Sequence, residues 1–281
     1  MKRSLLFIPA NSPAMLQNAD IFGADAIIFD LEDAIHPLEK DAARDLLTCY
    51  LERFALPDME LIVRINDRQT PYYIKDVERA VQLPIHTIML PKAREEDILE
   101  LSERLTALEK KRKRLAPLMI IPIIERAISL FEIEKIVAHA RVSGLLLGGE
   151  DLTSDLEVER TKQGLEILFA RQMVIYAAKA YRKEAIDTPF TDVGDHVGLV
   201  EDATYAKSLG MTAKSCIHPI QIDAINEVFS PSEKQITFAK RVLEAEKEAQ
   251  EKGLGVFSVD GKMVDKPIIE RAKQVLKRVK P

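Results

Sequence analysis

Short apolar runs recur along the chain at intervals that fit alternating strands and helices. Each run is continuous and does not alternate with polar residues, as is typical of strands buried on both faces of a parallel sheet. The pattern predicts eight such strands. They are expected at residues 4–8, 26–31, 61–65, 87–90, 119–124, 144–147, 185–187 and 211–214.

Helical patterns separate these runs, the clearest at residues 40–54, 95–115, 127–140 and 164–181. Eight repeated strand–helix units predict an α/β fold, a closed (β/α)8 TIM barrel. A doubly wound open sheet is the alternative, but it usually carries a glycine-rich phosphate turn after the first strand. Here the segment Pro9-Ala10-Asn11-Ser12-Pro13 stands at that place. The barrel is therefore the preferred architecture.

The pattern changes after Ile217, where a different type of segment follows the predicted barrel. Ser230 suits a helix N-cap, Pro231 suits the first helical position and Glu233 the third, a combination that often starts a helix. This helix is expected to run to Gly253, which suits a C-terminal stop.

A hairpin and a last helix are expected after that. Asp260-Gly261 lies between two short apolar runs and suits a tight primed turn, and an amphipathic helix begins at Pro267. We therefore predict a catalytic barrel over residues 1–229 and a small helix-hairpin-helix appendage over residues 230–281. Because so small a unit buries little core alone, we expect it to pack on a barrel, and a neighbouring subunit's barrel is one candidate.

Composition narrows the class of protein. Hydrophobic residues make up 47% and charged residues 30% of the 281 positions, and the net charge is −5. A folded protein that acts on small molecules is favoured, because no basic excess is available to bind nucleic acid. Cys49 and Cys216 lack metal-ligand spacing, and the apolar run at residues 5–8 is too short for a signal peptide. We expect a cytoplasmic protein without a membrane span.

The candidate site residues are the charged residues at the ends of the apolar runs. In a TIM barrel the active site lies at the C-terminal ends of the strands. Nearly every predicted strand from the second to the eighth is followed there by a charged residue. In chain order these residues are Asp30, Glu32, Asp33, Arg64, Lys92, Glu125, Glu150, Asp151, Asp187, Lys214 and His218.

Two of these carboxylates suit a metal ion. Glu125 and Asp151 follow adjacent strands, so they can meet on one cation although they are distant in sequence. Mg²⁺ prefers oxygen ligands and is commonly held by one or two carboxylates together with water and substrate. Zinc is a poor competitor because histidine clusters and paired thiolates are absent from the sequence. Gly148 and Gly149 would let backbone amides approach a substrate closely.

An anionic substrate is indicated by Arg64, whose guanidinium can bind a carboxylate through two parallel hydrogen bonds. We expect Glu32, Asp33, Lys92 and Glu125 to contribute to substrate binding as well. The alternative for any single one of these residues is a salt bridge around the barrel rim. Their convergence at several strand ends favours a site.

Ordered motifs along nearly the whole chain resemble those of the citrate lyase β subunit and its relatives, the malyl-, citramalyl- and citryl-thioester lyases of the HpcH/HpaI aldolase group. The motifs are RSLLFIP at residues 3–9, DLED at 30–33, KDAAR at 40–44, VRIN at 63–66, LPK at 90–92, GEDL at 149–152, FAR at 169–171, IHPIQ at 217–221 and DGKMVD at 260–265.

The resemblance implies a magnesium-containing barrel, usually a homotrimer, that cleaves a hydroxyacyl thioester into an acetyl thioester and a 2-oxo acid such as oxaloacetate. It assigns the metal ligands to Glu125 and Asp151 and the substrate carboxylate to Arg64. It also implies that Asp265 is delivered into a neighbouring subunit's site, where it would act as a general acid.

The sequence leaves several alternatives open. Three thioester types are open, the citryl, citramalyl and malyl types, each carried by coenzyme A or by an acyl carrier. A second hypothesis is a metal-dependent aldolase that acts on free 2-oxo acids. A third is a subunit that is active only within a citrate lyase complex, together with its α and acyl-carrier subunits.

Overall fold

A computed structural model describes residues 2–56, 59–251, 253 and 256–279. Eight parallel strands form a closed barrel in sequence order, because β1 pairs with both β2 and β8. The barrel strands are β1 (Ser4–Pro9), β2 (Ala26–Asp30), β3 (Glu60–Arg64), β4 (Thr87–Leu90), β5 (Met119–Ile124), β6 (Gly144–Leu147), β7 (Glu184–Asp187) and β8 (Ala213–Cys216).

Helices connect the strands, as a (β/α)8 barrel requires. None of the helices in the described ranges combines the length and hydrophobicity that a membrane span needs. The α-helices of the described residues are α1 (Pro13–Gln17), α2 (Lys40–Arg53), α3 (Tyr73–Ala80), α4 (Glu95–Arg112), α5 (Ala127–Phe131), α6 (Ile133–Ala138), α7 (Gly149–Asp155), α8 (Leu168–Ala180), α9 (His196–Leu209), α10 (Ile222–Phe229), α11 (Glu233–Glu251) and α12 (Lys266–Lys277).

The predicted TIM barrel is confirmed, and the eighth strand differs most from its predicted position. It was expected at residues 211–214 and lies at Ala213–Cys216. Lys214 and Ser215 are fully buried in this strand, because their polar groups are hydrogen-bonded to Asp187 and other buried groups. Apolar periodicity cannot detect a strand whose buried positions are polar.

Two helix boundaries also differ. The single helix expected at residues 127–140 is divided into α5 and α6 at Glu132, whose carboxylate binds Arg94. The predicted N-cap at Ser230 is wrong. Ser232 caps α11: its Oγ accepts from the Gln235 amide at 3.3 Å, while the Gln235 side chain accepts from the Ser232 amide at 2.9 Å. The reciprocal bonds form a capping box.

The barrel interior is filled by one apolar cluster to which every strand contributes. Its members alternate along each strand, as side chains of one face must. They are Leu5, Ala26, Ile28, Ile62, Met89, Ile121, Ile123, Leu146, Ile186 and Ala213, with Phe7 packed against them. The next inward position after each run therefore lies at the C-terminal mouth of the barrel.

The chain divides into two compact units, Lys2–Asn226 and Glu227–Pro281. The second contains α11, the hairpin strands β9 (Phe257–Val259) and β10 (Lys262–Val264), and α12. Val242 and Val264 are fully buried in its own apolar cluster. The helix-hairpin-helix segment thus has a small core of its own.

Candidate active site

The alternation along the strands continues from the apolar interior into a cavity of about 470 Å³. Two residues beyond Ile28, Ile62 and Ile123 come Asp30, Arg64 and Glu125, and all three line this cavity. Phe7, Gly148 and Thr188 follow Leu5, Leu146 and Ile186 in the same way. The lining also includes Pro9, Asp33, Ala34, Gly149, Glu150, Asp151, Pro189 and Ile217.

Arg64 is held in the cavity by carboxylates. Its Nε and Nη2 donate to the two oxygens of Asp30 at 2.7 and 2.6 Å, and its Nη1 lies 3.0 Å from Glu32 Oε2 and 3.4 Å from Asp33 Oδ2. The guanidinium also lies 5.0 Å from the centre of the Phe7 ring. Burial acts to lower the pKa of Arg64, but the carboxylates, Asp30 foremost, outweigh it and raise that pKa.

Glu32 lies behind the cavity wall and is only 5% exposed. Its Oε1 accepts from Lys92 Nζ at 3.2 Å. Its Oε2 is buried, and within the described residues nothing donates a hydrogen bond to it, because Arg64 approaches without hydrogen-bond geometry. Burial raises the pKa of Glu32 to about 7, against the effect of the Arg64 charge. A buried oxygen without a donor is rare in folded proteins and often marks a functional position.

Glu125 is the most strongly perturbed carboxyl group here. It is 4% exposed, and its Oε1 accepts from the Lys92 amide at 2.6 Å. Burial raises its pKa well above the ordinary value, and the negative charges of Glu32 and Asp151 add to that rise. A Cβ at position 148 would come within 2.5 Å of Glu125 Oε2, so only glycine leaves room for this carboxylate.

The strained backbone of Lys92 explains how its amide reaches Glu125. Lys92 has a φ of 49°, a left-handed conformation that costs a non-glycine residue about 1 kcal/mol or more. This conformation directs the amide at the carboxylate, while the ammonium group binds Glu32. One residue therefore contacts two of the predicted site carboxylates from behind the cavity.

Asp151 lies in the first turn of α7 and is half-buried. The start of this helix is fixed by the Gly149 amide, which donates to Thr188 Oγ1 at 3.0 Å. We call Glu32, Glu125 and Asp151 the acidic cluster. No three or more His, Cys, Asp or Glu residues of the described chain are already arranged around a metal position. A cation would therefore need water or substrate to complete its coordination, as Mg²⁺ commonly does.

A second group of charges lies on β7, β8, α8 and α9 and is not part of the cavity lining. Arg171, Asp187, Asp202 and Lys214 form this closed cluster. Lys214 Nζ lies 2.6 Å from Asp187 and 2.7 Å from Asp202, and Arg171 contacts the same two carboxylates at 2.9 and 2.6 Å. The cations act against burial and lower the pKa of Asp202. Two buried cations thus balance two buried anions.

The structure brings most of the sequence-predicted site residues together. Arg64, Asp33, Glu125 and Asp151 line the cavity, whereas Glu32 and Lys92 support it from behind. Asp265 belongs to the C-terminal unit, where its Oδ1 caps α12 by accepting from the Ile268 amide at 3.3 Å. Its delivery to a neighbouring site stays a prediction.

Phe7 and Thr188 were not predicted as site residues, and Asp30 was named only among the charged residues at the strand ends, without a role. Asp30 orients Arg64, Phe7 lies against the guanidinium, and Thr188 fixes the helix that carries Asp151. A signal was available in the sequence, because each lies two positions after an inward-facing apolar residue. Counting strand positions in steps of two would have found all three.

Comparison with known proteins identifies relatives along the whole chain. The model of the HpcH/HpaI aldolase/citrate lyase family matches residues 3–219. Citrate lyase subunit beta of Leuconostoc mesenteroides subsp. cremoris is 39% identical over 280 residues, which covers 99% of this chain and 93% of the relative. Human mitochondrial citramalyl-CoA lyase is 30% identical over 287 residues, with 98% and 84% coverage.

A solved structure agrees with the barrel and with these sequence relatives. Protein CitE from Mycobacterium tuberculosis, crystallised with magnesium, acetoacetate and coenzyme A, is 31% identical and superposes with a TM-score of 0.79. The match covers 98% of this chain and 97% of that protein. The chain therefore belongs to the HpcH/HpaI aldolase/citrate lyase family, a family of lyases, as its motifs predicted.

Proposed function

We propose that this protein is a magnesium-dependent carbon–carbon lyase that cleaves a hydroxyacyl thioester into an acetyl thioester and a 2-oxo acid. The observation that carries the proposal is the acidic cluster beside Arg64. Negative charges on Glu32 and Asp151 raise the pKa of the buried Glu125 carboxyl, and they do so next to a fixed guanidinium in a cavity of about 470 Å³. Such a cavity suits a small anionic substrate bound together with a cation.

The residues present fit a magnesium ion. Glu125 and Asp151 would hold it, since both line the cavity and both offer the oxygen ligands that Mg²⁺ prefers. Gly148 leaves Glu125 Oε2 unobstructed. When bound, the ion would supply a Lewis acid that polarises the substrate oxygen destined to become the carbonyl of the 2-oxo acid. The Mycobacterium tuberculosis relative crystallised with magnesium supports this choice of metal.

Arg64 would bind the carboxylate of the 2-hydroxy acid half. Its Nε–Nη2 edge is taken up by Asp30, so the substrate would use the other Nη1 and Nη2 hydrogens, in competition with the exposed Asp33. Asp30 thereby sets the plane of the guanidinium before substrate arrives, which lowers the cost of orienting it on binding. Asp33 is the more exposed partner of Arg64 at the cavity mouth.

As the C–C bond breaks, the hydroxyl group loses its proton and becomes the carbonyl of the 2-oxo acid, while the electron pair of the broken bond stays on the acetyl thioester as an enolate. This enolate must gain a proton. We assign this step to Asp265 of a neighbouring subunit, acting as general acid. An oligomer, which we propose to be a homotrimer, is supported by large apolar side chains on the barrel's outer helices. Phe131, Phe169 and Tyr176 are 87, 64 and 75% exposed on the neighbouring helices α5 and α8, and larger exposed apolar patches mark interaction sites.

The thiol of the substrate is coenzyme A or the prosthetic group of a carrier protein. Coenzyme A is supported by the crystallised Mycobacterium tuberculosis relative and by the name of the human relative. A carrier, with a complex of further citrate lyase subunits, is supported by the Leuconostoc relative, which is named as a subunit. In both cases we propose that the protein works in the cytoplasm.

The proposal is tested by measuring acetyl thioester release from citryl-, malyl- and citramalyl-coenzyme A, with magnesium and with a chelator. We expect turnover of at least one thioester, and its loss on chelation. Equal rates on the thioester and on the free acid would instead support an aldolase of free 2-oxo acids. If no thioester is turned over, either by the protein alone or with the citrate lyase α and carrier subunits added, the lyase assignment is refuted.

The role of Asp265 needs a variant that keeps its structural contribution. Asp265→Asn retains an N-cap for α12, because asparagine and aspartate cap helices about equally well. We expect this variant to keep its thermal stability and its stabilisation by magnesium while turnover is lost. Full turnover by Asp265→Asn would exclude Asp265 as the acid.

A further inference from the structure

A buried ammonium group lies directly behind the loop that carries the acidic residues after β2. Lys40, the first residue of α2, is 5% exposed. Its Nζ donates to the carbonyl oxygens of Leu31 and Glu32 and to Asn66 Oδ1, each at 2.7 Å. All three ammonium hydrogens therefore have an acceptor, and two of those acceptors are loop backbone.

The shape of this loop determines the direction of Arg64. The Glu32 amide donates to Asp30 Oδ1 at 2.9 Å, and the Ala34 amide donates to Asp30 Oδ2 at 3.2 Å. The loop thus wraps around the same carboxylate that holds Arg64 through two hydrogen bonds. If the loop backbone moves, the Asp30 carboxylate and the guanidinium move with it.

The loop also needs a cation for its own stability. It carries Asp30, Glu32 and Asp33 within four residues, and like charges so close repel one another. Arg64 offsets this charge in the cavity, and Lys92 offsets it from behind the cavity wall. Lys40 is a buried cation on the opposite side of the loop from Arg64.

A second layer of hydrogen bonds fixes Lys40 in turn. Asn66, which accepts from Lys40, donates through Nδ2 to the Leu31 carbonyl at 2.9 Å and to Asp76 Oδ2 at 2.6 Å. Asp76 Oδ1 accepts from Arg44 at 2.5 Å. These four side chains are all buried. The network connects α2 and α3 with the ends of β2 and β3, so it is rigid and tied to the site.

We propose that Lys40 is a positioning residue for substrate recognition: it holds the backbone after β2 in the shape that aims Arg64 at the substrate carboxylate. The inference rests on the proposed function of Arg64. Lys40 itself touches neither substrate nor metal in this scheme. Its effect passes through the Leu31 and Glu32 carbonyls to Asp30 and then to the guanidinium.

The test compares Lys40→Met with a matched variant, Lys2→Met, in the full-length protein. Lys2 is also buried, at 8% exposure, and its Nζ lies 2.6 Å from both Glu60 and Glu184. These groups lie at the N-terminal ends of the strands, far from the cavity mouth. Both variants lose a buried ammonium group, so a general loss of stability should affect both.

Steady-state kinetics on the most active thioester should separate them. Because Arg64 would bind the carboxylate in ground and transition states alike, Lys40→Met should raise KM about tenfold or more with kcat within about threefold, whereas Lys2→Met should leave both near wild type. Should Lys40→Met fail to fold, Asn66→Ala, which removes one Lys40 acceptor, should raise KM in the same direction by less. Unchanged KM in the variants that fold, or equal changes in Lys2→Met, would overturn the inference.

A second readout keeps the inference apart from the lyase assignment. Hydrogen exchange of the Glu32 and Ala34 amides should be faster in Lys40→Met and unchanged in Lys2→Met, whatever reaction the protein catalyses. If the wild-type protein has no lyase turnover, alone or with the citrate lyase α and carrier subunits, while the two variants show this exchange pattern, the proposed function is refuted and the positioning role stands. Equal exchange in both variants would refute the positioning role.

Discussion

The acidic cluster follows β2, β5 and β6, and the closed cluster joins β7 and β8 to α8 and α9, yet their charges are arranged in opposite ways. In the closed cluster, Arg171 and Lys214 each contact two carboxylates, and these cations lower the pKa of Asp202 in spite of burial. In the acidic cluster, negative neighbours raise the pKa of Glu125 further than burial alone does. The charges of the closed cluster balance, whereas the acidic cluster requires a cation.

Charged clusters in this barrel are therefore of two kinds. A balanced, fully buried set has what it needs from its own chain and faces the helices. An unbalanced set facing a cavity is stable only at a cost, which a bound cation removes. Charge balance and the direction of the side chain, rather than charge itself, separate a structural cluster from a candidate active site.

The largest expected effect is the loss of catalysis in Glu125→Gln. Because this substitution removes one of the proposed magnesium ligands, turnover should fall by about 10³-fold or more. Thermal unfolding without magnesium should occur at the same or a higher temperature, since a repelled charge has been removed. A marked fall in the metal-free melting temperature would mean that Glu125 is mainly structural, as in the closed cluster.

Asp187→Asn should have the opposite profile. It leaves two buried cations, Lys214 and Arg171, facing the single carboxylate of Asp202, and breaking a buried ion pair from one side typically costs about 3–5 kcal/mol. Urea unfolding at pH 7 measures this loss. Asp192→Asn, which removes an exposed partner of Lys162, is the control and should have a far smaller effect. Equal stabilities of the two variants would contradict the comparison.

The acidic cluster should also make the metal-free protein less stable as pH rises. Glu32 has a folded-state pKa of about 7 against an ordinary value of 4.5, so the folded protein binds its proton more tightly than the unfolded chain does. The stabilisation is complete below about pH 4.5 and is lost as pH rises through 7, by up to about 3 kcal/mol.

Chemical denaturation between pH 5 and 8, with a chelator present, measures that slope. Glu32→Gln should make the profile less steep, because it removes one titrating carboxyl group, leaves Glu125 in place and keeps the shape of the side chain. A wild-type profile parallel to that of Glu32→Gln would show that Glu32 titrates normally.

The smallest effect is expected from Thr188→Val, a substitution at a link between the two clusters. The Thr188 carbonyl accepts from Lys214 at 2.7 Å, and its hydroxyl accepts from the Gly149 amide at 3.0 Å. Valine keeps the carbonyl and the shape but removes the hydroxyl, at a cost of about 1 kcal/mol in stability. Turnover should fall a few-fold with α7 less well fixed. Loss of turnover equal to that of Glu125→Gln would show that Thr188 acts directly on substrate.

Much of this architecture was predictable because it follows from local pattern. The continuous apolar runs located seven strands closely, and the predicted site residues Arg64, Glu125 and Asp151 all line the cavity. The eighth strand was displaced because Lys214 and Ser215 are polar although fully buried. Polar strand positions are buried only when partners elsewhere in the chain satisfy them, and those partners are not visible in a local window.

The sequence alone determined which residues follow each strand, and strand periodicity determined which of them face inward, because side chains alternate with a period of two. Tertiary structure decided the partners. Arg171 and Asp202 come from α8 and α9 to neutralise Asp187 and Lys214, whereas no such pair of cations reaches Glu125 and Asp151 in the described part of the chain. Electrostatic balance depends on distances between residues far apart in sequence, and only the closed barrel sets those distances.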